Sequence, residues 1–511
     1  MAKTVMLQGT SSNVGKSVLT AALCRIFLED GYRVAPFKAQ NMALNSFVTL
    51  DGGEMGRAQV VQAQACKLEP DVLMNPILLK PTRHASSQVI VLGKPVGNLS
   101  AVDYHHKFKE SAWKVICESL KTLIDQYELL VIEGAGSPAE INLKENDVVN
   151  MRVAKEITAP VLLVADIDRG GAIASIVGTL ELLDPEEREL IKGIIINKFR
   201  GDIALLQPAL DFIKNKTGKP VLGVIPYFSD FKIPEEDSVA LETCNNSSTN
   251  SQKLDIAVIN LPHISNFTDF DALASENDVE LRYVKKGKQL GTPDLIIIPG
   301  SKNTIGDMNY LEESNFSNDI KRLVLEKNVP VIGICGGYQI LGKKLYDPHQ
   351  TESDLIEYPG LGLLDIETEF LTNKITYRVK GVVKGSQGIL RGCQNLNIEG
   401  YEIHMGITNF TGKLDTPFNL DIRGRESVLL NDGAISKNGL ILGTYIHGIF
   451  DNDLLRRGLL NNIRVAKGWE PITSPTFNNK IEQEEAFDKL ADLVRENIDM
   501  SFLYQLMELK V

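Results

Sequence analysis

The chain has 511 residues, with 54 Lys+Arg against 66 Asp+Glu and a formal charge of −12. At about 100–200 residues per domain, that length predicts about three domains, or two with extensions. Hydrophobic residues make up 43% and charged residues 23%, which excludes disorder across the whole chain. So acidic a chain is a poor general nucleic-acid binder, because phosphate contacts need clustered Lys and Arg.

No apolar run approaches the roughly 18–20 residues that span a bilayer. The first residues, MAKTVMLQGTSS, run directly into a strand pattern and lack the apolar core and cleavage site of a secretory signal. The expectation is a cytoplasmic protein with no membrane partner. Cysteines stand at 24, 66, 117, 244, 335 and 393, with no C-x-x-C pair. Neither a zinc site of that kind nor a disulfide framework is supported.

In chain order, TVMLQ (4–8) reads as a strand. From Lys16 the apolar positions Val18, Leu19, Ala22, Leu23, Ile26 and Phe27 form a helical stripe, and Gly31 follows as a stop signal. RVAPF (33–37), LLVIE (129–133), PVLLVAD (160–166), KGIIIN (192–197) and VLGVIP (221–226) are further strands. Several are continuous apolar runs, as in strands covered on both faces. Alternation with helical stretches predicts an α/β, doubly wound domain with a mostly parallel sheet over residues 1–242.

TCNNSSTNSQ (243–252) has no apolar period, so 243–253 reads as a linker. Strand patterns restart at DIAVIN (255–260), DLIIIP (294–299), PVIGIC (330–335) and LILGTYIHG (440–448). They predict a second α/β domain over 254–455. Residues 456–511 read as a helical extension, from Leu459, Leu460, Ile463, Phe487, Leu490, Leu493 and Val494.

Gly9-Thr-Ser-Ser-Asn-Val-Gly15-Lys16-Ser17 joins the first strand to the first helix. Backbone N–H groups of such a loop, here from Thr10, Asn13, Val14 and Gly15, converge on phosphate oxygens at a helix N-terminus. Lys16 would reach the β/γ-phosphates of ATP and the Ser17 hydroxyl would bind Mg²⁺. The spacing departs from G-x-x-x-x-G-K-[ST], with Thr10 at the first glycine position. Glu133, ending LLVIE before glycines, is the candidate metal and water partner. Asn197 and Pro226 end later strands, where ligands of open α/β sheets bind. Ser11 stands where dimeric partitioning switches carry a second lysine, which favours an enzyme that uses ATP on a bound substrate. No pattern supports a redox cofactor.

In Val331-Ile-Gly-Ile-Cys335-Gly336-Gly337-Tyr338-Gln339 a strand ends at a cysteine followed by two glycines and a helical pattern. Such an elbow exposes a nucleophile, and a helix N-terminus favours the thiolate. N–H groups around Gly336, Tyr338 and Gln339 can face an oxyanion. The thiol needs a base. His447, after an apolar strand, is the first candidate; His404 in GYEIHMG competes with it. Asp451 and Glu402 are the nearest acids in sequence to orient the base.

Together these motifs resemble known families. The Cys335 elbow with His447 resembles class I glutamine amidotransferases. IIIPGSKNT (296–304) resembles their strand–turn that helps form the oxyanion hole, which implies a role for Gly300. Ile449 stands where most of them carry a glutamate, as in the cobyrinate amidase subgroup. GTSSNVGKS, FKAQNMALNS (37–46), EMGRAQ (54–59), NPILLKP (75–81), IEGAGSPAEINL (132–143), ADIDRGG (165–171) and IINKFRGD (195–202) resemble a dethiobiotin-synthetase-like half and, as a set, the cobyric acid synthase family.

The resemblance implies amidation of the b, d, e and g carboxylates of adenosylcobyrinic acid a,c-diamide. Glutamine and ATP would be consumed through an acyl phosphate. The related a,c-diamide synthases share the architecture. The corrinoid polycarboxylate needs local cations, and Lys38, Arg57, Lys80, Arg83 and Arg169 fall within the resembling segments.

Overall fold

The computed structural model describes residues 2–83, 86–104, 108–231, 233–234, 253–353, 355–473 and 477–509, with the side chains of Arg83 and Ala101 outside that set. The linker read at 243–253 lies outside the described residues except for Lys253. The chain forms two compact units that exchange segments. One holds Met1–Met42, Met55–Pro234 and Ile481–Val511; the other holds Ala43–Glu54 and Glu235–Lys480.

The first unit is built on a six-stranded sheet. Its order is Val221–Pro226, Ile191–Phe199, Val161–Asp166, Lys3–Gly9, Leu129–Glu133, Val34–Phe37. Every neighbouring pair is parallel. The runs Leu129–Ile132 and Val161–Ala165 are wholly buried, which is why they read as unbroken apolar stretches. The chain passes from Lys3–Gly9 to strands on either side of it. The crevice at this reversal therefore opens above Gly9, Glu133 and Asp166, where open α/β sheets bind ligands.

A second sheet joins Gln40–Met42, Ile77–Arg83, Ser86–Val91 and Lys94–Ser100. The sequence reading did not place these strands. They are short, and Lys94–Ser100 is largely exposed, so apolar patterning is weak there.

The extension read at 456–511 divides between the units. Helix Asp453–Ala466 is in the second unit, held by buried Arg456, whose Nε donates to Glu276 at 2.7 Å. Helix Asn479–Asn497 buries Phe487, Leu490 and Val494 in the core that contains Val5, Leu19 and Leu23. Buried Arg25 fastens it through Glu484 at 2.7 Å and Asp488 at 2.6 Å.

The second unit has a parallel sheet in the order Val279–Val284, Leu254–Ile259, Leu295–Ile298, Val331–Ile334, Ile441–Thr444, closed by antiparallel Ala434–Ile435. A further sheet is dominated by the long antiparallel pair Ile366–Val383 and Asn397–Phe410. The run LILGTYIHG, expected as one strand, is two. Ile441–Thr444 lies in the parallel sheet, and Ile446–His447 pairs with Tyr401–Glu402 in the other. Side chains take the ladder bonds at the break: Tyr445 N–H donates to Asp432 Oδ1 at 3.2 Å, and Ile446 N–H to Thr444 Oγ1 at 3.1 Å. That break turns His447 out of the parallel sheet.

Candidate active site

In the first unit the loop after Lys3–Gly9 wraps the start of helix Lys16–Glu29. Gly15 is left-handed at φ 99°, and a Cβ there would lie 2.1 Å from Asn197 Nδ2. Only glycine fits both demands. Asn197 holds the loop by donating to Val14 O at 2.8 Å. Lys16 Nζ is folded back onto Ser11 O at 3.1 Å and Gly136 O at 3.0 Å. Thr10 N–H is spent on Val164 O at 2.9 Å, so this amide anchors the loop and does not point into it. Pro226 ends its strand opposite Phe199.

Ser17 Oγ donates to Glu133 Oε1 at 2.8 Å. Glu133 is fully buried and also accepts from Lys38 Nζ at 2.9 Å and Gln62 Nε2 at 2.6 Å. Burial opposes its charge, but Lys38 and these hydrogen bonds outweigh burial and hold the carboxyl below its ordinary range. Ser17 and Glu133 thus place hydroxyl and carboxylate oxygens together, the donor chemistry Mg²⁺ takes alongside phosphates.

The candidate corrinoid cations do not share one environment. Lys38 is an ion-pair partner of Glu133 and is buried, which the sequence reading did not anticipate. Lys80 is also buried, Arg57 opens helix Arg57–Ala65, and Arg169 is 63% exposed near Asp166. The side chain of Arg83 lies outside the described residues. Lys198 was missed: its Nζ donates to Asn13 O at 2.7 Å and to Asp166 at 2.9 Å. It stood in the quoted IINKFRGD segment beside Asn197, and that adjacency was the available signal.

In the second unit Cys335 follows Val331–Ile334 at φ 52°, ψ −106°, and helix Gly336–Ile340 begins at once. For a residue with a Cβ this is strained backbone, of the kind held at functional positions. The glycines permit the turn by close approach. A Cβ at Gly337 would lie 1.9 Å from Ile298 O, and one at Gly336 2.9 Å from Ser301 N. The elbow therefore rests against the turn containing Gly300, itself 3.0 Å from His447 Cε1 by the same measure. The first-turn N–H groups of Gly336, Gly337 and Tyr338 have no carbonyl within their own helix. Gln339 differs: its N–H donates to Cys335 O at 3.1 Å, and its side chain is tied to Thr304 and Tyr445. It is better described as support for the elbow than as an oxyanion donor.

His447 is buried, and Cys335 is among the groups that raise its pKa. Its Nδ1 is 2.7 Å from Asp269 Oδ2, and Gly448 N–H donates to Asp269 Oδ1 at 2.9 Å. Burial opposes protonation, but Asp269 and Cys335 together raise the ring to about 10. His447 therefore carries its proton through neutral pH. His404 is in the opposite state. Its Nδ1 donates to Gly406 O at 2.7 Å and burial drives it down to about 3, so it stays neutral.

Neither Asp451 nor Glu402 bonds to the His447 ring among the described contacts. The acid in contact with His447 is Asp269, 178 residues before it in the chain, and no local spacing pointed to it. Glu402 is engaged by Arg423 instead, at 2.8 Å. Asp269→Asn is expected to lower glutamine hydrolysis by about 10²–10⁴-fold, the scale of losing the tautomer-fixing acid of a triad. With the carboxylate gone the imidazolium loses its main stabiliser. The alkaline limb of the rate profile then moves to lower pH, which a pH series of ammonia release would read.

An elbow thiol with a His–Asp pair in one unit, and a phosphate loop with Ser17 and Glu133 in the other, define a two-part glutamine amidotransferase joined to a nucleotide-binding synthetase. Comparison with known proteins agrees. Residues 5–240 match the CobQ/CobB/MinD/ParA nucleotide binding domain and 255–455 the CobB/CobQ-like glutamine amidotransferase domain. Cobyric acid synthase of Desulfitobacterium hafniense is 56% identical over 99% of this chain and 98% of its own. That of Moorella thermoacetica is 57% identical over 100% and 98%, and that of Yersinia enterocolitica 52% over 99% and 98%. The chain belongs to the cobyric acid synthase family.

Proposed function

We propose that this protein converts the b, d, e and g carboxylates of adenosylcobyrinic acid a,c-diamide to amides, giving adenosylcobyric acid, with glutamine as nitrogen donor and ATP as activator. The observation that carries the reading is the pairing of the Cys335–His447–Asp269 site with the Lys16–Ser17–Glu133 site in a chain 56% identical to a cobyric acid synthase along its length. The a,c-diamide synthase alternative is not favoured by these relatives.

In the glutaminase unit, Cys335 attacks the glutamine carboxamide as the thiolate of a Cys335–His447 ion pair, its proton held on His447, and N–H groups of Gly336, Gly337 and Tyr338 face the developing oxyanion. Gly300 leaves room beside His447. His447 gives its proton to the departing ammonia and takes one from the water that cleaves the thioester, while Asp269 holds the ring.

In the synthetase unit, Lys16 and the loop amides of Asn13, Val14 and Gly15 neutralise and position the phosphates, and Asn197 and Pro226 border the nucleotide. Ser17 and Glu133 would hold Mg²⁺, which when bound neutralises phosphate charge. The chain's own contribution is to orient the γ-phosphoryl group toward a substrate carboxylate. Arg57, Lys80, Arg83 and Arg169 are assigned to the other carboxylates; Lys38 reaches them only when it leaves Glu133. Ammonia displaces phosphate from the acyl phosphate.

The test is mass spectrometry of the corrinoid after incubation with ATP, Mg²⁺ and glutamine. Each amide replaces OH by NH₂ and lowers the mass by about one unit, with one ADP formed per acyl phosphate. A loss of about four units from the a,c-diamide supports the reading. No change there, with a loss of about two from unamidated cobyrinic acid, would transfer the protein to the a,c-diamide synthases.

A further inference from the structure

The glutaminase unit contains a piece of the N-terminal half, Ala43–Glu54. This segment leaves the synthetase unit after Met42 and returns at Met55, and its first residues lie in the FKAQNMALNS run. It does not merely cross the surface. Asn45 and Ser46 are about 1% exposed. Asn45 Oδ1 accepts from Phe267 N–H at 3.1 Å, and Ser46 N–H donates to Asn266 Oδ1 at 2.9 Å. The first bond grips the short helical turn Phe267–Phe270, which carries Asp269, and the second its N-cap residue Asn266.

A second contact comes from Phe47. Its ring lies 4.8 Å from that of Tyr401, and Tyr401 is stacked on His447 at 5.3 Å and 17°. Val48, Tyr401 and Ile403 form one buried cluster with Phe47 packed on it. Ile403 O in turn accepts from Cys335 Sγ at 3.3 Å. The segment is itself pinned: Ser46 Oγ donates to Glu54 at 2.8 Å, Glu54 is ion-paired with buried Lys374, and Thr376 Oγ1 donates to Gly52 O at 2.7 Å. A buried ion pair left without one partner is costly, so the loop is fixed at both ends.

We propose that Ala43–Glu54 is a positioning strap for the glutaminase: Asn45 and Ser46 hold the Asp269 turn, and Phe47 backs the ring stack on His447. Competence to hydrolyse glutamine is thereby encoded partly in the sequence of the ATP-using half. The inference rests on the proposed roles of Cys335 and His447 and adds residues that touch neither substrate. A displacement of about 1 Å in such a constellation costs up to about 10²-fold in rate.

The test uses the full-length protein. Asn266 is left-handed at φ 54°, so Asn266→Gly removes the acceptor for Ser46 N–H without imposing backbone strain. Asn45→Ala removes the acceptor for Phe267 N–H, while Asn45→Asp keeps an oxygen there. The groups that set the charge of His447 are Asp269, Cys335 and His404, with Tyr401 covering the ring.

Asn45→Ala and Asn266→Gly are each expected to lower kcat for glutamine hydrolysis about 10- to 100-fold, with the alkaline limb shifted to lower pH. Ammonia-driven synthesis should hold within about twofold, and Asn45→Asp should recover most of the rate. Wild-type glutaminase rate and pH limb in both variants would overturn the strap. So would equal loss of glutamine- and ammonia-driven synthesis, which marks a general folding defect, or a rate loss that Asn45→Asp fails to restore. Failure of the underlying reading is separately visible, because Cys335→Ala would then keep glutamine use.

Discussion

Cys335→Ala is expected to abolish glutamine-driven amide synthesis while the ammonia-driven reaction continues. The sulfur is the only atom at the elbow able to form a thioester, and neither His447 nor Asp269 can replace it. Loss of a nucleophile from such a unit lowers its reaction by about 10⁴-fold or more. Ammonia bypasses the glutaminase, since the acyl phosphate is made by the other unit, which has its own core. Parallel assays with glutamine and with ammonium chloride check this. Loss of both activities would show that the elbow is needed for synthesis itself.

Lys16→Ala is expected to abolish synthesis from either nitrogen source. Lys16 is buried at the mouth of the loop, where its ammonium donates to the carbonyls of Ser11 and Gly136. Removing such a charge from a phosphoryl-transfer site costs about 10³-fold or more. ADP release and corrinoid mass should fall together. Near-normal synthesis would refute the phosphate role, and hydrolysis of glutamine on its own should survive the substitution.

Much of both sites is legible along the chain because the chemistry is local. A phosphate loop needs its glycine, lysine and serine on one turn between a strand and a helix. A nucleophile elbow needs cysteine and small neighbours in consecutive positions. Strands covered on both faces announce themselves as apolar runs, as Leu129–Glu133 and Val161–Asp166 do. The exposed edge strand Lys94–Ser100 carries no such signal.

What spacing cannot carry are partners brought together by the fold. The sequence by itself determined the two nucleotide and thiol motifs, the parallel sheets, and His447 and His404 as the candidate bases. Only the tertiary structure decided between the states of those histidines, through burial for one and Asp269 for the other. It also split LILGTYIHG between two sheets, paired Lys38 with Glu133, and moved residues 43–54 and 481–511 across the unit boundary. The physical reason is common to all of these. Hydrogen bonds, ion pairs and ring stacking depend on distances of a few ångströms in space, and the Asp269–His447 bond closes a separation of 178 residues that no periodicity records.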